Sequence, residues 1–190
     1  HFFLLSHHVE GVGIEVDEEI RALVGASAAM LSFGMPEFEW PATRDVVIYP
    51  TAYDVDYKHA QDGVILGQVS RQGPVILSAE ALRHGFSTSN DGHHVGLHEF
   101  AHVLDFADGE IDGVPTTLSW ESVAPWVRRM QDHFKAADRG GRARKVLRNY
   151  AYTDEAEFFA CAVEVFFENP RLLNKRAPEL YELLTQFFRQ

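Results

Sequence analysis

The chain has 190 residues, of which 46% are hydrophobic and 24% charged, and its formal net charge is −11 at pH 7. This length predicts one domain, over residues 1–190, with a single buried core. The acidic balance argues against binding to nucleic acid or to an anionic membrane, because both favour clusters of Lys and Arg. The one cysteine, Cys161, excludes an intrachain disulfide and a cysteine-rich zinc site, and it fits a cytoplasmic protein. Because the sequence opens at His1 rather than at Met, we expect that an N-terminal segment of the full protein is missing.

The first half of the chain predicts one helix followed by short strands. An amphipathic helix is expected from about Asp17 to Leu31, because apolar residues recur there at helical spacing and Gly34 follows as a stop. Three β-type runs come next, with the sequences RDVVIYP, GVILGQVS and GPVILS, and the last two are predicted to pair. Pro74 begins the last run and has no backbone N–H to donate, so we expect that strand at an edge of the sheet.

The second half of the chain is predicted to be mainly helical. One helix is expected in DGHHVGLHEFAHVLDFADG, with Asn90 or Asp91 as its cap. Another is expected in LSWESVAPWVRRMQDHFKAAD, where Pro125 limits its start, and a third in TDEAEFFACAVEVFFENP, capped by Thr153 or Asp154. The sequence APELYELLTQFFRQ closes the chain as a last helix. A helix, a small sheet and then several helices predict the α+β fold class.

The pentapeptide HEFAH is the strongest indication of function. Residues four apart on a helix lie on one face, so His98 and His102 can direct two imidazole nitrogens to one zinc ion. Glu99 follows the first histidine, where its carboxylate can accept a proton from a water bound to that ion. This is a signature of zinc hydrolases. The alternative, a solvated helix rich in histidine, is disfavoured because Phe100 and Leu104 give the helix an apolar surface to bury.

A catalytic zinc site requires a third protein ligand, for which the residues downstream offer several candidates. Glu157 is favoured because it interrupts the apolar face of a predicted helix, where an unpaired carboxylate is costly. Glu164, two turns later, is the alternative, and Cys161 between them is more typical of core packing. Asp105, one turn beyond His102, is expected to orient an imidazole through its second ring nitrogen rather than to bind the metal.

Two segments of this sequence, HEFAHVLD and YAYTDEAEFFA, together resemble the zinc peptidases grouped around the Mlc titration factor A. The site is also similar to that of the lethal-factor metalloprotease. Further segments match the order found in the family: VEGVGIEVDEEIRALVGASAAML, VVIYPTAY, GPVILS and EFFACAVEVFFENP. The resemblance therefore extends across most of the chain.

The resemblance implies a zincin-like metalloprotease domain, with a small mixed sheet, an active-site helix and a mainly helical C-terminal half. It implies that zinc is held by His98, His102 and Glu157. It further implies that Glu99 is the general base and that the hydroxyl of Tyr150 stabilises the oxyanion, for which Tyr152 is the alternative. A phenol near the metal is chemically suited to that role.

Motif and resemblance together predict a zinc-dependent peptidase that cleaves a peptide or protein substrate through an activated water. The alternative is a binding protein, because the resemblance also implies sequestration of an Mlc-like transcriptional repressor of sugar uptake, which requires no catalysis. For the peptidase, we expect an extended substrate to add a strand along GPVILS, next to the motif helix.

Overall fold

The computed structural model describes residues 2–41, 45–52, 66–69, 73–106, 112–115, 118, 120–138 and 146–190. In chain order these residues form α1 (Phe2–Ser6), β1 (Val9–Gly11), α2 (Glu18–Ser32), β2 (Val46–Tyr49), β3 (Gly67–Val69), β4 (Val75–Ser78), α3 (Ala79–Ser87), α4 (Val95–Phe106), α5 (Trp120–Asp138), a 3₁₀ turn (Asn149–Tyr152), α6 (Glu155–Glu168), α7 (Pro170–Arg176) and α8 (Pro178–Phe188). The predicted α+β class is confirmed. None of the helices among the described residues has the length and apolar character needed to cross a membrane.

The four strands form one mixed sheet in the order β1-β2-β4-β3. Strand β4 runs parallel to β2 and antiparallel to β3, so the predicted pairing of its segment with GVILGQVS is confirmed. Residues 63–65 and 70 of that second segment lie outside the described residues. The prediction that GPVILS is an edge strand is wrong, because β4 lies between two neighbours. Pro74 directly precedes the first strand residue, Val75, so its missing N–H removes no hydrogen bond from the ladder.

Helix α2 matches its predicted bounds closely. The side chain of Asp17 caps it by accepting a hydrogen bond from the N–H of Ile20 at 2.8 Å. The apolar stripe of this helix is buried and includes Ile20, Val24, Ala28 and Leu31. It packs against α4, so that α2 covers one side of the helix that carries the HEFAH sequence.

Helix α4 lies at the centre of the molecule and is buried from Gly96 to Asp105. It packs against α2, α3 and α6 and against strands β3 and β4. The predicted caps, Asn90 and Asp91, are wrong, since the helix begins only at Val95. The backbone at Asn90 has φ of 72°, which belongs to a turn before the helix. The cap is instead provided by Nδ1 of His94, which accepts a hydrogen bond from the third residue of the helix.

The N-termini of α5 and α6 can be compared with the starts predicted from the sequence. Pro125 does not limit the start of α5, which begins five residues earlier, and a proline that close to the N-terminus costs the helix only one backbone hydrogen bond. Of the two predicted caps of α6, Thr153 and Asp154, the structure shows Asp154. Its carboxylate accepts a hydrogen bond from the N–H of Glu157 at 2.8 Å. Helix α6 packs along α4, which brings residues more than 50 positions apart into one cluster.

Candidate metal centre

Two imidazoles on α4 form the base of the candidate centre. The side chains of His98 and His102 are 7% and 9% exposed, and their Nε2 atoms are 3.3 Å apart. The two rings are nearly perpendicular, at 85°. The helical spacing of four residues produces this convergence, as the sequence pattern predicts.

Glu157, in the first turn of α6, places its carboxylate over both imidazoles. Its Oε2 atom lies 3.0 Å from Nε2 of His98, and its Oε1 atom lies 3.6 Å from Nε2 of His102. Burial alone would raise the pKa of Glu157, but the hydrogen bonds and charges of the two histidines lower it well below its usual value. The carboxylate is therefore ionised and suited to bind a cation.

The spacing of the three donor groups can be compared with a zinc site. Bonds of about 2.0–2.1 Å in a tetrahedral site place neighbouring ligand atoms about 3.3 Å apart. The two Nε2 atoms are 3.3 Å apart, and the Glu157 carboxylate approaches them at 3.0 Å through Oε2 and at 3.6 Å through Oε1, around that value. The buried Oε2 of Glu157 also makes no aligned hydrogen bond among the described residues. This donor set of two imidazoles and one carboxylate fits a metal ion.

Glu164 lies on the opposite side of the His98 ring. Its Oε1 atom is 2.7 Å from Nδ1 of His98, so the ring donates that hydrogen to Glu164 and directs Nε2 towards the centre. The carboxylate is itself held by Arg148, at 2.7 and 3.0 Å, and by the backbone N–H of His94, at 2.7 Å. Glu164, the alternative third ligand, thus contacts the ring nitrogen that points away from Glu157. Cys161 lies on this same side, within a cluster with His98 and Glu164.

The prediction that Asp105 orients an imidazole is wrong. Its buried carboxylate accepts hydrogen bonds from the backbone N–H groups of Gly113, at 3.0 Å, and Val114, at 2.7 Å. Among the described residues, Nδ1 of His102 makes no hydrogen bond. Burial raises the pKa of Asp105 to about 6, against the lowering effect of the two backbone donors. Asp105 therefore holds the backbone at Gly113 and Val114 rather than a histidine.

Glu99 lies beside the candidate metal centre on α4 and is only 5% exposed. Burial raises the pKa of its carboxyl group, and the charges of His98 and His102 partly offset that effect. Glu99 lines a cleft of about 360 Å³ together with Gly67, Val95 and Tyr150. A carboxylate with a raised pKa in such a cleft is suited to accept a proton.

Tyr150 closes the other side of the centre from the 3₁₀ turn. Its hydroxyl donates a hydrogen bond to Oε1 of Glu157 at 2.8 Å, and its ring centroid is 6.0 Å from that of His98. Burial and the hydrogen bond to Glu157 raise the pKa of Tyr150, so the phenol keeps its proton at neutral pH. Tyr152, the alternative, packs its ring near Phe134 and Phe158 instead.

The structure brings together all five residues expected at the site: His98, Glu99, His102, Tyr150 and Glu157. The sequence patterns missed Arg148 and the orienting contact of Glu164. In the sequence, Arg148 is close only to Tyr150, two residues later. Its ionic partner, Glu164, is 16 residues away on α6, so no local pattern connects the two. In the structure, the packing of the 3₁₀ turn against α6 brings Arg148 to Glu164.

Comparison with known proteins gives the family of this chain. Mlc titration factor A of Edwardsiella ictaluri is 32% identical over 193 residues, covering 91% of this chain and 72% of the relative. Mlc titration factor A of Salmonella gallinarum is 33% identical over 193 residues, covering 90% and 70%. An uncharacterised protein of Synechocystis sp. is 26% identical over 182 residues, covering 90% of this chain and 66% of its own length. The chain thus spans about two thirds of the length of these relatives.

The family model described as glucose-regulated metallo-peptidase M90 matches residues 1–189. The resemblance stated from the two motifs is therefore confirmed over nearly the whole chain. With this match and with relatives above 30% identity, the chain belongs to the glucose-regulated metallo-peptidase M90 family.

Proposed function

We propose that this chain is a zinc-dependent peptidase and that residues 1–190 form one zincin-like domain. Membership of a metallo-peptidase family implies a metal cofactor and a peptide substrate. The observation that carries the choice of site is the convergence of His98, His102 and Glu157, whose donor atoms lie 3.0–3.6 Å apart. These three side chains would hold the zinc ion, with Glu164 fixing the ring of His98 through its Nδ1 atom.

Bound zinc supplies Lewis-acid chemistry, since it polarises a carbonyl and makes water more acidic. Glu99 takes one proton from the attacking water as the oxygen of that water adds to the scissile carbonyl carbon. It then gives the proton to the leaving amine when the C–N bond breaks, so that the base is regenerated. The raised pKa of Glu99 favours this transfer, because the carboxyl group must bind the proton between the two steps.

Tyr150 is the donor to the oxyanion in this proposal. Its hydroxyl donates to Glu157 in the structure, so the O–H group already lies beside the donor atoms of the centre. The phenol stays protonated because its pKa is raised, and it can donate to the negative charge that develops on the carbonyl oxygen. Half of its residue surface is exposed, which leaves it accessible to a substrate.

The substrate is proposed to lie along β3, which replaces GPVILS as the candidate strand. In the described sheet β3 has a neighbour only in β4. Ser78 donates to the carbonyl of Leu66 at 2.8 Å, so these two residues form a hydrogen-bonded pair of the antiparallel ladder. Hydrogen-bonded and non-hydrogen-bonded residue pairs alternate along an antiparallel ladder. The N–H and C=O groups of Gly67 and Val69 therefore point away from β4. An extended peptide can pair with them at the mouth of the cleft.

The binding-protein alternative rests on the name of the relatives, Mlc titration factor A, which connects those proteins to Mlc. If this chain binds an Mlc-like repressor, the binding surface need not include the centre. Glu99→Gln separates the two roles, because it removes the general base and keeps the shape of the side chain. Hydrolysis is expected to stop in this variant, while any binding of repressor is expected to persist.

The test of the proposed function measures zinc content and peptide hydrolysis on the same preparations. We expect about one zinc per chain in the wild type and in Glu99→Gln, with hydrolysis only in the wild type. Glu157→Ala is expected to lose the metal. Glu155→Ala, in the same turn of α6 but outside the donor set, is the matched control and is expected to keep metal and activity. A wild type that binds no zinc, or that binds zinc and cleaves no peptide, contradicts the proposal.

A further inference from the structure

Gly67, the first residue of β3, lies directly against the side chain of Glu99. A Cβ atom placed on Gly67 would be 2.5 Å from Oε1 and 2.6 Å from Cγ of Glu99, and 2.7 Å from Cγ2 of Val95. Real Cβ atoms do not approach other heavy atoms this closely. The volume that a side chain would occupy at this strand position is therefore filled by the carboxylate arm of Glu99.

The backbone does not explain a glycine at this position. Gly67 is not among the residues with positive φ, and it lies in a regular ladder opposite Leu77. Any L-residue can adopt that extended conformation, and glycine inside a strand is normally unfavourable. The requirement for glycine comes from the close approach of β3 to α4, which leaves no room for a side chain.

Glu99 also depends on packing for its position. It is only 5% exposed, and the backbone of β3 lies against its carboxylate arm. The neighbouring His98 and His102, by contrast, converge through contacts with Glu157, and His98 is also held by Glu164. The side of Glu99 that faces the cleft is bounded by the backbone of β3, where Gly67 stands.

We propose that Gly67 is a positioning residue for the general base: its missing side chain leaves the space in which the Glu99 carboxylate is held, facing the cleft. This inference rests on the proposed function, because it takes Glu99 to be the base. The same residue directs its N–H and C=O to the free side of β3. Gly67 therefore sets the distance between the base and a peptide that pairs with the strand.

The test is Gly67→Ala, compared with the wild type for zinc content, unfolding temperature, kcat and KM. The added methyl group must displace the Glu99 side chain, and a displacement of about 1 Å at a reacting group costs on the order of 100-fold in rate. We expect kcat to fall by about that factor, with about one zinc per chain and KM within about threefold of the wild type. Gly25→Ala on α2 is the matched control, because the nearest atoms to its Cβ would be those of the Leu4 side chain, from 3.0 Å, and neither residue lines the cleft. It is expected to keep kcat.

A second measurement tests the contact itself without using activity. Gly67→Ala is expected to lower the unfolding temperature of the wild type by several degrees, and to lower it less in a Glu99→Ala background, where Cγ and Oε1 are absent. If Gly67→Ala does not fold, both measurements are made in a Val95→Ala background. That substitution removes the Cγ2 contact and leaves Glu99 as the group that the methyl meets.

The outcomes separate this inference from the proposed function. If Glu99→Gln is inactive and Gly67→Ala keeps kcat within about twofold of the wild type, the inference is wrong while the proposed function stands. A loss of zinc together with activity assigns Gly67 to the metal centre and also overturns the inference. A rise in KM at unchanged kcat assigns it to substrate binding alone, with the same consequence. An inactive wild type contradicts the proposed function instead, and in that case the Gly67–Glu99 contact is judged from the unfolding temperatures.

Discussion

Nδ1 of His98 lies 2.7 Å from Oε1 of Glu164, and this buried contact joins the helix of the HEFAH motif to α6. Both side chains are almost fully buried, and the carboxylate is held from behind by Arg148. The contact sets which nitrogen of His98 is free to bind a metal, because a ring that donates through Nδ1 presents the lone pair of Nε2. In the proposed centre, helix α6 therefore supplies both the third donor, Glu157, and the group that orients the first.

Glu164→Gln is expected to weaken zinc binding by about 10–100-fold, because the amide orients the imidazole less firmly and carries no charge to support it. The same substitution leaves Arg148 without its ionic partner, so some loss of folding stability is expected as well. Zinc affinity is measured by competition with a chelator of known affinity. Glu168→Gln, one turn further along α6, is the control and is expected to keep the affinity of the wild type. An unchanged affinity in Glu164→Gln would show that the contact does not orient the ligand.

Tyr150→Phe is expected to lower kcat by about 10²–10³-fold, which is typical for the loss of one hydrogen-bond donor to an oxyanion. The phenyl ring keeps its position over His98, and the three metal donors are unchanged, so the zinc content should remain that of the wild type. Tyr152→Phe is the comparison, because that ring packs near Phe158 rather than at the centre. Equal activity of the Tyr150→Phe variant and the wild type would assign the hydroxyl a structural role only.

Asp105 predicts a pH dependence of folding stability. The pKa of Asp105 is about 6 in the folded chain, against its ordinary value of 3.8, so the folded chain binds the proton more tightly than the unfolded chain does. This carboxyl group therefore contributes stability that is fully present below about pH 4 and is lost as the pH rises to about 6. The difference between these two pKa values corresponds to at most roughly 3 kcal/mol in the free energy of unfolding.

The measurement compares the free energy of unfolding of the wild type and of Asp105→Asn between pH 4 and pH 6.5. Both proteins are freed of zinc, so that the release of metal does not contribute. The stability of the wild type relative to the variant should fall as the pH rises across this window. A difference that stays constant over the window would show that Asp105 titrates near its usual pKa.

Local patterns in the sequence predicted the parts of the site that depend on one helix at a time. The spacing of His98 and His102 fixes their common face, and the cap at Asp154 fixes where α6 begins and hence which face Glu157 occupies. These features depend on helical periodicity and on side chain–backbone hydrogen bonds within a few residues. Both are readable from the sequence before any tertiary contact is known.

The remaining features depend on which elements are neighbours. The proline pattern at Pro74 predicts an edge strand, but the position of Pro74 before the ladder leaves β4 free to pair on both sides. Helical spacing places Asp105 near a histidine, but the backbone N–H of Gly113 lies at its carboxylate and donates to it. The fit of Gly67 against Glu99 joins residues 32 positions apart on different elements. Tertiary packing determines these contacts, and no local pattern encodes them.

The proposed substrate strand gives the last prediction, at Val69. The N–H of Val69 points away from β4, whereas the N–H of Gln68 points towards it, because the two residues alternate in the ladder. Val69→Pro therefore removes a donor offered to the substrate and leaves the hydrogen bonds of the sheet intact. With a peptide long enough to pair along β3, we expect a rise of about 2–13-fold in KM, as for the loss of one hydrogen bond of 0.5–1.5 kcal/mol.

Two comparisons control for the shape of the side chain and for the ladder. Val69→Ala, like Val69→Pro, removes the two methyl groups of the valine, but it keeps the backbone N–H. The KM of Val69→Ala should therefore stay closer to that of the wild type. Gln68→Pro removes a hydrogen bond to β4 and should lower the unfolding temperature more than Val69→Pro does. If Val69→Pro and Val69→Ala have the same KM, the substrate does not pair with the free side of β3. In that case the cleft binds its peptide through side-chain contacts, because the main chain of the strand contributes nothing.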